Sequence, residues 1–439
     1  MPNISINNFI IPKAGNQIYN FANKIFPINR SITGEGNRQT LKLIKEIIPN
    51  LKIKEIPSLT KVSDWTVPLE WNVNDAYIVN PKGKKILEFS KNNLHLVGYS
   101  VPTKKNISLA ELKKHLHYKK ELPNAIPYVV SYYKKNWGFC LSYNEYKKLK
   151  KGKYKIFIDT ELTKGSMTYG EILIPGKMKD EILFSTYICH PSLANNEVSG
   201  PALLTYIVKF LNSIKNKRYS YRIVFHPENI GAIAYISKNL KALKKNVKAG
   251  YVLSCVGDNK NYSYIPSRNG NTLADKIARY VLQNFTKSYK EYSFLDSGSD
   301  ERRYCSPNVD LPVSSILRTK YGNYKEYHTS LDNMKILSNE GFQGAYEVYL
   351  NIIKILENNY KFLTKTICEP QLGKRGLYPN ISKWPDKKSW LKIRKLVNCL
   401  SFTDGKKDLI DLSKSINVDS DKLLNILNTL LKNNLIILK

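Results

Sequence analysis

The spacing of apolar positions changes character several times along the chain. Residues 14–26 place Ile18, Phe21, Ala22 and Ile25 at intervals of three and four, which predicts an amphipathic helix. A second helix is predicted over 39–48, after the stretch Arg30-Ser-Ile-Thr-Gly-Glu-Gly-Asn-Arg38. Thr33-Gly34-Glu35-Gly36 reads as a flexible connection. It lacks the Lys-Ser/Thr ending of a phosphate loop, so no nucleotide is expected there. From 53 to 140 the texture turns to short β-prone segments broken by turns, among them 71–80, 85–90, 95–102 and 128–140. Residues 153–159 and 166–174 follow and resemble a pair of strands.

The pattern then becomes one of strand, polar loop, helix. The run 182–189 is apolar and β-prone, and His190 stands at its end. A polar loop over 191–197 leads to an apolar helix from 202. Strand 221–225 ends at His226-Pro227-Glu228 before a helix over 232–240, and strand 249–256 ends at Gly257-Asp258. A helix over 273–285, the Asp300 loop, strand 313–317, the His328 loop and a long helix over 338–357 complete this region. Beyond a Pro- and Gly-containing connector (368–388), helices over 390–400, 407–416 and 420–432 and a β tail at 435–438 give a winged-helix outline. Its third helix has few basic residues, which favours a docking or structural role over DNA reading. The expected fold is α/β: a mixed sheet flanked by helices (1–52 and 141–365), a small β-rich insertion (53–140) and a C-terminal winged helix (366–439).

Size and composition alter this picture only at the edges. A chain of 439 residues predicts two or three domains, and 42% hydrophobic residues fit a globular protein. No run approaches the roughly eighteen apolar residues that span a bilayer, so no membrane span is expected. The first residues lack a basic region followed by an apolar core, so no signal peptide is read there. Six scattered Cys without a Cys-x-x-Cys pair argue against a sulfur-ligated zinc site and for a reduced, cytoplasmic setting. The net charge of +33 comes mainly from Lys dispersed among Asn, Ile and Tyr, so nucleic acid is not expected as a partner despite the positive balance.

The candidate chemistry lies at the strand ends. His190, Asn195, Asn196, Glu197, Glu228, Asp258, Asp300 and His328 come from loops that follow strands, where open α/β sheets bind ligands. Imidazole and carboxylate donors suit zinc, with a carboxylate as general base for an activated water. Glu228 is the candidate base. The plainer reading, a capped loop with a satisfied histidine, stands beside it. No Gly-x-Ser-x-Gly elbow is present, and strand alternation would send Cys189 and His190 to opposite faces, so neither a serine triad nor a Cys–His dyad is expected. His95, His115 and His117 are read as non-catalytic.

These residues also carry a resemblance. Cys-His190-Pro-Ser-Leu-Ala-Asn-Asn196-Glu-Val-Ser-Gly200, His226-Pro-Glu228, Ser299-Asp300 and Tyr327-His328-Thr-Ser-Leu-Asp332 resemble the successive site motifs of zinc aminopeptidases. With Arg30-Ser-Ile-Thr-Gly-Glu-Gly, Trp71-Asn-Val-Asn-Asp-Ala and His95-Leu-Val-Gly-Tyr-Ser-Val-Pro, the chain resembles a bacterial aminopeptidase-like family with an inserted domain of unknown function and a C-terminal winged helix. The resemblance implies a zinc-dependent hydrolase of an amide bond, and members of that family are often found among polysaccharide-biosynthesis genes. The departures are specific: Asn196 stands where a metal-bridging Asp is expected, Pro227 replaces one of two adjacent Glu, and Ser254 stands near a strand Asp. One zinc is therefore expected, held by His190, His328 and carboxylates drawn from Asp300, Glu228 and Asp258, in that order. Asn196, Glu197 and Asp258 are placed beside the substrate or behind the ligands. Small peptides, aminoacyl compounds or N-acyl sugars are the implied substrates, with self-association or docking through the winged helix as further contacts. The rival reading is a non-catalytic sugar- or peptide-binding module.

Overall fold

The computed structural model describes residues 10–378 and 387–439, so the first nine residues, read above for a signal peptide, and part of the 368–388 connector lie outside the described residues. Two compact units result. One contains Lys13–Lys276 and Ser288–Glu347, and the other contains Ile277–Lys287 and Val348–Lys439.

The first unit is built on an eight-stranded sheet. Its strands are β1 (Lys52–Pro57), β2 (Ser166–Ile174), β3 (Glu181–Tyr187), β4 (Ser220–His226), β5 (Val247–Val252), β6 (Ser263–Ile265), β7 (Lys290–Glu291) and β8 (Val313–Leu317). The order is β1-β2-β4-β3-β5-β8-β6-β7, with β4, β3, β5 and β8 mutually parallel. All seven residues of β3 are buried, as a strand covered on both faces requires. The chain moves from β3 to β4 on one side, then crosses back to β5 on the other. That reversal opens a crevice at the carboxyl end of β3, where the next residues are Ile188, Cys189 and His190.

Helix α1 (Gly15–Ile25) buries the expected stripe Ile18, Phe21, Ala22 and Ile25. Helix α2 spans Glu35–Ile47 and begins four residues earlier than its periodicity indicates. The two glycines of the expected loop explain this. Gly34 caps the helix at φ 101°, and Gly36 sits in its first turn, where a Cβ would lie 2.0 Å from the Asn29 carbonyl oxygen. Helix α3 (Ser199–Ser213) buries Leu203, Leu204, Ile207, Val208 and Leu211 completely, each worth about 1.5–3 kcal/mol. It presses so closely on the sheet that a Cβ on Gly200 would lie 2.3 Å from Thr186 Oγ1. The stretch Ala194–Val198, expected as polar loop, is a π-helical turn running directly into α3. Helix α4 (Ile230–Asn246) follows β4.

A second, four-stranded sheet is ordered Lys85–Ile86, Glu70–Val79, Lys153–Thr163, Thr103–Ser108, with Lys153–Thr163 coming from beyond residues 53–140. Here the expected pairing of 153–159 with 166–174 is not formed. Lys153–Thr163 pairs with Glu70–Val79 and Thr103–Ser108 instead, while β2 pairs with β1 and β4. The expected strands at 95–102 and over most of 128–140 reduce to isolated bridges, among them Gly98 with Val130 and Ser100 with Asn136.

In the second unit, helices Lys387–Ser401, Leu409–Ile416 and Ser420–Lys432 accompany a three-stranded sheet of Asp404–Asp408, Lys361–Thr364 and Ile436–Leu438. The six cysteines are unpaired. No described helix is long and apolar enough to cross a membrane.

Candidate functional site

His190 and His328 lie side by side, with ring centroids 5.4 Å apart. Two imidazoles sharing one tetrahedral zinc at Zn–N of about 2.0–2.1 Å have centroids roughly 5 Å apart. The Tyr128 ring touches both, at 5.1 Å from His190 and 5.3 Å from His328. Backbone bonds hold this arrangement: Tyr128 N–H donates to the His328 carbonyl (2.9 Å), and Ser330 N–H donates to that of Ile126 (2.8 Å). His328 sits at φ 54°, and Ser192, Asn229 and Cys255 in the neighbouring strand-end loops are also at positive φ. Such strain persists only where surrounding contacts over-determine it.

The two imidazoles differ electrically. His190 Nδ1 donates to Glu197 Oε2 at 2.8 Å, and Arg30 Nε lies 3.3 Å from Glu197 Oε1, with both Arg30 and Glu197 buried. Burial pulls the His190 pKa down, but the Glu197 hydrogen bond and charge outweigh it and leave the pKa raised. With Nδ1 engaged, Nε2 is the atom left to act, 3.8 Å from Glu228 Oε2. His328 is held neutral: burial, then the charge of His190, lowers its pKa to about 3. Its Nε2 is buried without a hydrogen-bond partner.

Glu228 Oε1 accepts from the Ser299 hydroxyl, and burial raises its pKa. Asp300 is fully buried; Oδ1 accepts from Asn229 N–H at 2.8 Å, whereas Oδ2 makes no hydrogen bond and lies 3.8 Å from His226 Nδ1. Burial and then the charge of Glu228 push the Asp300 pKa well up. Asn196 Nδ2 donates to the Tyr187 hydroxyl at 2.6 Å, and its Oδ1 is another buried, unpartnered atom.

Asp258 is differently engaged. It accepts from Asn195 Nδ2 (2.9 Å), the Thr319 backbone (3.0 Å) and hydroxyl (2.8 Å), and Lys260 N–H (3.0 Å). This ties the β5 and β8 ends together. Asp332 accepts from Asn195 N–H (2.7 Å) and Asn196 N–H (3.1 Å), joining the His328 loop to the turn before α3. Among the described residues, one trio offers ligand atoms all within 4.8 Å of one another: Cys189, His190 and Glu197. The alternation argument for Cys189 fails because β3 ends at Tyr187, and its Sγ lies 3.4 Å from His190 Nδ1. The thiol is still no nucleophile, since burial holds its pKa far above the range of reactive cysteines. His95 Nδ1 engages the Cys140 carbonyl at 2.8 Å, and His115 stacks on Trp137 at 3.8 Å.

Sequence reasoning gave no site role to Arg30 or Tyr128, and Ser299 entered only as part of the Ser299-Asp300 motif. Arg30 carried one usable signal, an arginine in a chain whose cations are mostly Lys. Tyr128 carried none, because its β-prone surroundings hide a side chain that faces the imidazoles.

The model of a domain of unknown function (DUF4910) matches residues 19–359. The chain belongs to the DUF4910 family. A winged helix-turn-helix model matches residues 360–437. A Clostridium acetobutylicum protein, named for polysaccharide biosynthesis and an aminopeptidase-like domain, is 45% identical over 406 residues, 91% of each chain. A crystal structure from the same organism, described as a candidate peptidase, is 41% identical, with TM-score 0.90 over 97% of both chains. A zinc aminopeptidase from Bacillus subtilis shares the fold, with TM-score 0.58 at 12% identity over 79% of this chain and 95% of its own. The DUF4910 chain therefore has an aminopeptidase-like α/β fold with a C-terminal winged helix.

Proposed function

We propose that this DUF4910 protein is a zinc-dependent hydrolase acting on an amide bond. The observation that carries the reading is the unpartnered Nε2 of His328 beside His190. The donor set fits a zinc ion, because His328 Nε2, a neutral imidazole nitrogen, is buried without a hydrogen bond beside His190, and Asn196 Oδ1 and Asp300 Oδ2 on neighbouring strand-end loops make none either. His190, His328 and Glu228 would hold the ion, with Glu197 and Arg30 fixing the His190 ring from behind. When bound, the ion supplies a Lewis acid that polarises a carbonyl and acidifies water.

The remaining chemistry falls to the chain. Glu228 would take the proton released by the attacking water and pass it to the leaving nitrogen, with Asp300, its pKa raised by burial and then by the charge of Glu228, beside it. Ser299 orients Glu228, and Tyr128 covers both imidazoles against water. The sequence order of carboxylates put Asp300 first as a ligand; the 3.8 Å approach of Glu228 to His190 favours Glu228 for that place.

Metal analysis of the purified full chain tests this, with about one zinc per chain expected after loading. His328→Asn, which tolerates the positive φ, should weaken zinc binding by more than the roughly 10–100-fold that loss of a supporting residue costs. Zinc retained in full by His328→Asn would sink the reading. A second reading, a non-catalytic sugar- or peptide-binding module, is favoured by Asn196 and Pro227 at the departing positions. It predicts no turnover by zinc-loaded protein on any amide, with ligand binding unchanged in Glu228→Gln. The naming of the Clostridium relative favours a substrate from polysaccharide biosynthesis under either reading.

A further inference from the structure

A cavity of about 390 Å³ lies where both histidine loops meet the insertion. Ser192, two residues beyond His190, and Ser330, two residues beyond His328, both line it. Phe26 and Phe89 supply aromatic surface, and Asn29, Ser90, Asn92 and Asn93 supply polar groups. Among the described residues no carboxylate lines the cavity, and Lys91 is the one cation that does.

Its polar groups are incompletely used. Asn93 Nδ2 donates to Ser192 Oγ at 2.7 Å, but Asn93 Oδ1 is buried with no partner. Asn92 Oδ1 accepts from Leu94 N–H at 3.0 Å, leaving the donors of its amide nitrogen unused. The side chains of Asn29 and Ser90 make no hydrogen bond among the described residues. Neutral donors and acceptors are thus interleaved beside aromatic faces. A phosphate would call for more cations and a metal ion for carboxylates. Hydroxyl groups, each both donor and acceptor, match the set. The volume falls within the roughly 300–1,000 Å³ of small-ligand sites.

We propose that this cavity is a saccharide subsite which seats a neutral, hydroxyl-rich ring of the substrate next to the imidazole pair. The inference deepens the hydrolase reading by naming the substrate class, and it rests on that reading only for its link to catalysis. Glycan-bearing amides, such as N-acyl sugars, become the favoured substrates over plain peptides.

Saturation-transfer NMR on the full-length protein tests it, with galactose, N-acetylglucosamine, diglycine and inorganic phosphate as separate probes. Transfer to the sugar ring protons is expected, and not to diglycine. Asn29→Ala with Ser90→Ala removes side chains that make no hydrogen bond among the described residues, so the double variant should melt like wild type. It should bind the sugar roughly five- to a hundredfold more weakly, the effect of two lost hydrogen bonds. Absence of transfer to either sugar, equal affinity in the double variant, or displacement of the sugar by phosphate would overturn the proposal. Galactose has no amide bond, so its binding is read independently of hydrolysis. Sugar binding without amide turnover would leave the subsite standing and remove the hydrolase; turnover without sugar binding would do the reverse.

Discussion

The crevice at the end of β3 has two halves that treat polar atoms in opposite ways. On the Arg30 side, charge meets charge: Arg30 Nε faces Glu197 Oε1 at 3.3 Å as an ion pair without a well-formed hydrogen bond, and Glu197 Oε2 engages His190. On the Asp300 side, Asn196 Oδ1 and His328 Nε2 are buried without a hydrogen bond, and Asp300 Oδ2 meets only His226 Nδ1, at 3.8 Å. Burying an unpartnered polar group costs about 1–3 kcal/mol, so the second half is an expense that the fold alone does not explain. The first half serves structure and the positioning of one ring. The second is shaped for something that arrives.

The sharpest way to break this contrast is to uncompensate the first half. Arg30→Met leaves the Glu197 carboxylate buried beside an apolar chain, and the loss of one partner of a buried pair costs about 3–5 kcal/mol. Urea unfolding of zinc-free protein should show a loss of that size. Adding Glu197→Gln to Arg30→Met should restore most of it. A single variant as stable as wild type would mean that the pair is not what holds this half together.

A compensated pair away from the crevice sharpens the comparison. Arg38 grips Glu70 with both terminal nitrogens, Ser166 N–H donates to the same carboxylate at 2.9 Å, and the Arg38 bond with its charge lowers the Glu70 pKa to about 2. A depressed carboxylate contributes stability that is complete above its unfolded pKa, near 4.5, and is lost as pH falls towards 2. Part of the pair reaches solvent, so Glu70→Gln should cost on the order of 1–2 kcal/mol at pH 7 rather than the full worth of the shift. The gap between variant and wild type should close as pH is lowered through that window. A gap that is constant with pH would show that packing, not charge, is what Glu70 contributes.

The sequence made local features of the site readable and hid the non-local ones. The βα units around His190 and Glu228 follow from apolar runs ending in polar loops, and their positions hold to within a few residues. The pairing of Lys153–Thr163 was misjudged because its alternating burial states only that it is a strand with two unlike faces. Nothing in a period of two names the neighbour. Arg30 and Glu197 likewise meet across 167 positions, a contact no local pattern encodes. Asp258 looked like a ligand candidate because strand-end acids often are. Its oxygens are instead taken up by Asn195, Thr319 and Lys260, and that depended on where β8 came to lie.

The smallest expected effect tests the open half directly. Asn196 occupies the place where the resemblance to zinc aminopeptidases leads one to expect a bridging carboxylate. Its Nδ2 is a donor to the Tyr187 hydroxyl, while Oδ1 has no partner. In Asn196→Asp the hydroxyl can reverse its role and donate to the new carboxyl, so the hydrogen bond survives. In zinc-free protein the new carboxyl avoids a buried charge by keeping its proton, and the remaining cost is about 1 kcal/mol. Added zinc should more than recover this, because the new anion faces cations rather than an apolar wall. Zinc content per chain reads the outcome alongside the melting temperature. If the neutral amide is what limits the site to one ion, the variant should bind more zinc than wild type. Unchanged zinc content together with a lower melting temperature would show that Asn196 belongs to the structural half after all.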